Sequence, residues 1–257
     1  MGSEVMPVKQ RRILVVNPVG TDQWDESDAG YLRQKARKGT TIDIVSLDRG
    51  PVSLEGVCYE TEAIPEILQR VRAGATDHDG ILINCFLDPG VIAAREAVDI
   101  PVAGPGESGM ILASLLGHTF SILAVAKNLI PRHFVQARLL GLEARLASVL
   151  NLGIPVVDLL GDPQKTVQVA LEQARLARDR DGAEVIVLGC TGMATLAEAI
   201  QEQLDVPVVE PAAAALKILE ATIDLGLTHS RAGLYRRPDF TKITWPAVGQ
   251  GLEEVPQ

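Results

Sequence analysis

Short apolar runs and longer amphipathic stripes alternate along this chain, the trace that strands and helices in succession leave in a sequence. A first series of strands is predicted at ILVV (13–16), TIDIVSLD (41–48), ILI (81–83) and PVAG (101–104). Between them lie the helical stretches SDAGYLRQKAR (27–37), with Ser27 or Asp28 as its cap, YETEAIPEILQRVRAG (59–74), closed by Gly74, and GVIAAREAV (90–98). A helix over SGMILASLLG (108–117) leads to a second series of strands, TFSILAVA (119–126), IPVVDLL (154–160), VIVLGC (185–190) and PVVE (207–210). Its helices are FVQARLLGLEARLA (134–147), KTVQVALEQARLARDRDG (165–182) and ATLAEAIQEQL (194–204), with AAAALKILEATIDLGL (212–227) last. Val167, Ala170, Leu171, Ala174 and Ala177 share one helical face, which is core packing.

The two series match in more than order. Each third strand runs up to a cysteine, Cys85 in DGILINCFLDP and Cys190 in EVIVLGCTGM. Pro101 follows Cys85 by 16 positions and Pro207 follows Cys190 by 17, while Ile13 precedes the one by 72 and Ile122 the other by 68. This predicts a duplicated α/β unit, with a parallel four-stranded sheet in each copy and a pseudo-two-fold axis between them. The first unit is expected over 1–104, completed by the C-terminal segment 211–257, and the second over 105–210. Facing each other, they would bring both thiols to one cleft, at the strand ends where open α/β sheets carry their chemistry. The irregular tail from Ser230 to Gln250 is expected to lie over the first unit.

Composition narrows the function more than the fold. The 257 residues, 47% hydrophobic and 22% charged, are ordinary for a globular protein. A formal net charge of −9 without a basic stripe argues against nucleic acid or membrane surfaces as partners. RQKARK (33–38) reads as a solvated helix face. Asn17-Pro18 cuts the first apolar run far below signal or spanning length, so a cytoplasmic location is expected. Three cysteines and four isolated histidines, with no CxxC pair, predict neither a disulfide framework nor a metal site. With no GxGxxG or GK[ST] loop, no nucleotide cofactor is expected. The partners expected are a small-molecule substrate and further copies of the chain.

Two cysteines at paired strand ends suit one reaction type, removal of a proton from one face of a carbon and its return to the other. One sulfur works as thiolate base and the other as thiol acid. A free thiol, with a pKa of about 8.5, is only a few per cent ionised at neutral pH. The helix start after the cysteine is expected to lower that value through its dipole and free N–H groups. Cys58 has no strand behind it and is expected to take no part. Asn17, in the loop NPVGTDQWDE, is expected to bind a substrate oxygen, with the backbone amides of Thr191 and Gly192 binding further polar groups and Phe86 touching the substrate. Pro105-Gly106-Glu107-Ser108 runs into a helix start and offers an anion or carbonyl site together with the Glu107 carboxylate. None of these loops holds Lys or Arg, and Asp22, Asp88 and Glu107 would repel an anion, which favours a neutral substrate.

NCFLDPG around Cys85, LGCTGM around Cys190, the loop GPVSLEG (50–56) and the ending LGLTHSRAGLYRRP (225–238) resemble the aspartate/glutamate racemase superfamily, and within it the hydantoin/allantoin racemase branch. The likeness covers nearly the whole chain. It implies cofactor-independent racemisation in a cleft between two similar α/β domains, with Cys85 and Cys190 as the acid/base pair and a 5-substituted hydantoin or related cyclic ureide such as allantoin as substrate. The chain departs from the branch at Asn17-Pro18-Val19-Gly20, where members often carry NPNT, and at Glu210-Pro211, where they often carry Asp-Gly. Both loops are expected to face substrate. The alternatives inside the superfamily are an aspartate/glutamate-type amino acid racemase and a maleate isomerase-like enzyme, in which one cysteine is a covalent nucleophile. Outside it stands a two-lobed small-molecule binding or thiol redox-sensing protein, which has no need of a cysteine at each strand end.

Overall fold

The computed structural model describes residues 10–237 and contains two four-stranded parallel sheets. In the first, β1 (Arg11–Asn17), β2 (Thr40–Ser46), β3 (Gly80–Ile83) and β4 (Val102–Ala103) lie in the order β2-β1-β3-β4. In the second, β5 (Phe120–Ala124), β6 (Leu146–Asn151), β7 (Val185–Leu188) and β8 (Val208–Val209) repeat it as β6-β5-β7-β8. The helices are α1 (Asp25–Lys35), α2 (Val57–Gly74), α3 (Val91–Ala97), α4 (Pro105–Leu116), α5 (Ile130–Leu139), α6 (Pro163–Asp179), α7 (Ala197–Gln201) and α8 (Pro211–Asp224). Helices on both faces explain why the strands read as unbroken apolar runs: every residue of β3, β5 and β7 is buried.

The structure moves several predicted elements. Residues 134–147 do not form one helix, because α5 stops at Leu139 and Gly141, at φ 72°, turns the chain. Leu146–Asn151 then becomes β6, pairing with β5, while IPVVDLL is a loop with one 3-10 turn at Val156–Asp158. Pro155 at its start has no N–H for a ladder. The helix expected after Cys190 opens as a 3-10 turn, Thr191–Leu196, leaving α7 only five residues. Neither Ser27 nor Asp28 caps α1, which begins at Asp25 behind Trp24. Gly74 closes α2 without a left-handed turn, and glycine stands there for room, since a Cβ would lie 2.2 Å from the Leu14 side chain.

Two features tie the halves together. One buried cluster runs from Leu14, Val16, Ile81 and Ile83 of the first sheet to Leu123, Ile186 and Leu188 of the second. The last helix, α8, returns to the first sheet, where Ala212, Ala215, Leu216, Leu219 and Ile223 pack on Ile13, Val15 and Leu82. Gly80 is the near point of that contact, with Leu219 and Ile223 each 3.0 Å from where its Cβ would stand. Beyond α8 the described tail lies along α3 and β4. His229 Nε2 accepts the Val102 N–H at 2.8 Å, Thr228 donates to the Asp99 carbonyl at 2.6 Å and Arg231 to the Arg95 carbonyl at 2.9 Å. The tail from 238 onward, expected over the first unit, lies outside the described residues. Among the described residues no helix is long and apolar enough to cross a membrane, and no group of His, Cys, Asp or Glu side chains is placed to hold a metal ion.

Candidate active site

Parallel register sets the site. Val16 pairs with Ile83 and Leu123 with Leu188, so the chain leaves each sheet through two adjacent strand ends. Cys85 follows the end of β3 and Cys190 the end of β7, and both line one cleft that is open to solvent. Asn17, Pro18, Val19 and Asn84 form its wall on the first half, with Trp24 and Asp28 from the start of α1. Val156, Thr191 and Gly192 close it from the second half, and Val52, Ser53 and Leu54 form a third side.

Side-chain hydrogen bonds fix this lining. The Asn84 N–H donates to the Val16 carbonyl at 2.8 Å, which sets its side chain beside that of Asn17. Asn84 Nδ2 donates to Asn17 Oδ1 at 2.9 Å and to Asp28 Oδ2 at 3.1 Å, and Asn17 Nδ2 donates to Asp25 Oδ1 at 2.8 Å. Ser46 Oγ reaches the same Asp25 oxygen at 2.7 Å. Thr191 Oγ1 crosses from the second half to the Asn84 carbonyl at 3.4 Å. The 50–56 loop is pinned at both ends. Gly20 N–H donates to the Pro51 carbonyl at 2.9 Å, and a Cβ on Gly20 would fall 2.4 Å from the Gly50 oxygen. At the other end Glu55 Oε1 accepts from Ser53 Oγ at 2.9 Å and from the Val156 N–H at 3.1 Å, and Asn128 Nδ2 donates to the Glu55 carbonyl at 2.7 Å.

The electrostatics run against the expected activation of the thiols. Burial raises Cys85 above the ordinary thiol range, the Cys190, Asp88 and Glu60 charges add to it, and only a backbone N–H at Leu87 opposes. Cys190 is pushed up to about 12, by burial first and then by Glu55, Asp28 and Glu210, against one N–H at Gly192. The expected N–H groups are present, but a 3-10 turn supplies few of them and acids surround the pair. Both sulfurs rest as thiols, on residues that are partly buried and line the cleft. Asp28 is raised to about 7, by burial and by the nearby Asp25 and Glu210, although Asn17 and Asn84 hydrogen bonds favour its charged form.

Of the residues predicted to form the site, Cys85, Cys190, Asn17, Thr191 and Gly192 converge here. Phe86 and Glu107 do not. Phe86 is 2% exposed and meets the His133 ring edge-on at 5.1 Å, because the turn after Cys85 points it into the core under α5. Glu107 is held by Arg95, whose Nη1 donates to it at 2.9 Å, and its own carboxylate helps to cap α4. The anion site expected at Gly106-Glu107 is filled by the chain itself, since Asp88 accepts both N–H groups at 2.8 and 2.7 Å. Glu210 does not line the cleft either; it caps α8 through the N–H groups of Ala212 at 2.9 Å and Ala213 at 2.6 Å. Cys58 is exposed in the first turn of α2, 3.5 Å from Glu62 Oε1. Sequence reasoning missed Asp28, Trp24, Asn84 and the 52–54 wall. The i, i+3 spacing of Asp25 and Asp28 on one face of the first helical turn after the β1 loop was the available signal.

The family described as Asp/Glu/Hydantoin racemase matches residues 13–219. A hydantoin racemase of Paenarthrobacter aurescens is 33% identical over 229 residues, which is 88% of this chain and 97% of that protein. Among solved structures, allantoin racemase from Pseudomonas fluorescens superposes with a TM-score of 0.87 at 34% identity, covering 91% of this chain and 100% of that one. Allantoin racemase from Klebsiella pneumoniae gives 0.87 at 32% identity, covering 92% and 97%. With conserved architecture and matching sequence over most of its length, the chain belongs to the Asp/Glu/Hydantoin racemase family, in the hydantoin/allantoin racemase branch.

Proposed function

We propose that this racemase-family chain inverts the C–H stereocentre of a 5-substituted hydantoin or related cyclic ureide, with Cys85 and Cys190 as a cofactor-independent acid/base pair. The observation that carries the reading is the composition of the cleft. It gathers two thiols from equivalent strand ends, and among the described residues its lining holds no Lys, Arg or His. An aspartate or glutamate substrate would bring an α-carboxylate with no cation to meet it, and an unpaired buried charge is costly. A hydantoin is neutral, and its ring C–H is more acidic than that of an amino acid, so a reluctant thiolate needs less help.

In the reaction one sulfur, as thiolate, takes the ring C–H proton and becomes a thiol, leaving a planar enolate. The opposite thiol then gives its proton to the other face and is left as the thiolate. Each passage exchanges the roles of the two sulfurs, and the reverse passage restores them. The Gly192 N–H supports the Cys190 sulfur, and the adjacent Thr191 amide is the group assigned to the enolate oxygen.

The test is polarimetry of 5-substituted hydantoins in deuterated buffer. Deuterium should enter the ring C–H as rotation is lost. Cys85→Ser and Cys190→Ser should each lower kcat/KM by about 10²–10⁴-fold, with single-face exchange surviving, and Cys58→Ser should leave it unchanged. Full racemisation by either of the first two variants, or faster turnover of aspartate or glutamate, would defeat the reading.

A further inference from the structure

The cleft contains one carboxyl that the two-sulfur reaction leaves unused. Asp28 lines it from the first turn of α1, held by Asn84 Nδ2 at 3.1 Å. The Asn84 amide has a determined orientation, because its Nδ2 faces two acceptors, Asn17 Oδ1 at 2.9 Å and Asp28 Oδ2. Reversal would press Oδ1 against both. In the orientation present, Asn84 Oδ1 is buried and without a partner, in a side chain only 5% exposed. The neighbouring amide donor, Asn17 Nδ2, is already committed to Asp25 at 2.8 Å. Asp28 is therefore the acceptor this wall presents to the cleft, with Asn84 Oδ1 buried beside it. Acceptors left unmet in a closed site cost free energy.

We propose that Asp28, backed by Asn84 Oδ1, is the acceptor that binds an N–H donor of the substrate and is thereby a specificity-determining residue. The proposal rests on the cyclic-ureide reading above and adds which polar group of the substrate is read. That donor is either a ring N–H or an N–H on the 5-substituent. A site built to accept a substrate N–H rejects an analogue that lacks it far more strongly than an apolar pocket rejects a change of one methylene. The carboxyl, raised toward neutrality by burial with Asp25 and Glu210 nearby, moves to its stronger acceptor form in the range where a donor is recognised.

The experiment compares a 5-substituted hydantoin with its ring N-methyl derivative, and a 5-aminoalkyl or 5-ureido hydantoin with its all-carbon analogue, on wild type, Asp28→Ala and Asp28→Asn. In wild type, masking the recognised donor should lower kcat/KM by about 10- to 100-fold. Asp28→Ala should raise KM for the donor-bearing member by a similar factor, with kcat less affected, and should abolish the discrimination. Asp28→Asn, which keeps an acceptor oxygen and the shape, should recover part of it. The pair that responds identifies the ring or the substituent as the source. Equal loss on both members of both pairs, or none, would overturn the proposal while leaving the racemase reading intact. Should Asp28→Ala fail to fold, Asp28→Asn and the wild-type comparison decide alone. A wild type inactive on every hydantoin would overturn both.

Discussion

Both thiols in the cleft rest protonated because burial and neighbouring acids outweigh two backbone N–H groups. The base is therefore scarce at neutral pH. Since each raised pKa keeps the thiol form present as pH rises past the ordinary thiol value, the population with one thiolate grows by about tenfold per pH unit well into the alkaline range. Wild-type kcat/KM should rise with that slope between pH 7 and 9, and a plateau below pH 7.5 would show that the thiols are not raised. Asp28 gives the matching stability effect. Its pKa is higher folded, at about 7, than unfolded, near the ordinary aspartate value of 3.8. Its contribution is complete below the unfolded value and is lost as pH rises through about 7. Asp28→Asn should therefore stabilise the protein above pH 7, by about 1–2 kcal/mol, and do little at pH 4; thermal melts at the two pH values measure this. The cysteines were legible in the sequence because an apolar run delivers each of them. Phe86 was not, because a residue in the turn past a strand obeys no two-residue alternation, and the Arg95 that occupies Glu107 lies 12 positions away on another helix.

At the scale of elements, most of the strands were written in the chain and one was not. IPVVDLL outscores LASVLN as a strand on branching and hydrophobicity, yet LASVLN sits in the ladder, as the Gly141 turn releases it beside β5. Propensity lost to the geometry of the crossover. The same kind of constraint fixes Gly106 at the start of α4. A Cβ there would stand 2.1 Å from the Phe86 carbonyl oxygen, with Asp88 Oδ2 at 2.8 Å, so the Cys85 turn and the α4 N-terminus fit only with glycine. Gly106→Ala should lower unfolding free energy by about 2–4 kcal/mol. Gly30→Ala, with nothing within 4 Å of its Cβ in the middle of α1, should raise it by about 0.5–1 kcal/mol. Urea titration of the two variants separates crowding from helix propensity.

For the whole molecule, the cleft exists because two sheets share a buried cluster and because side chains bridge the halves. Arg132 donates to Glu60 at 2.6 Å and to the Leu87 carbonyl at 3.2 Å, just beyond Cys85. The duplication was readable from repeated spacing, and the return of the segment from 211 onward to complete the first unit was already expected; what the packing adds is the set of α8 side chains that meet β1 and β3. Leu219, 1% exposed against Gly80, carries much of that return, and Leu219→Ala should cost about 2–4 kcal/mol in chemical denaturation.

That return has a consequence for the order in which the protein is made. The ribosome completes β1 to β4 long before it reaches Ala212, so the face formed by Ile13, Val15 and Leu82 has only α1, through Leu32, to cover part of it during more than 100 residues of further synthesis. A nascent chain halted just after Glu210 would show this patch to any chaperone or to a second unfinished chain. Release of the segment through Ile223 would conceal it at a stroke.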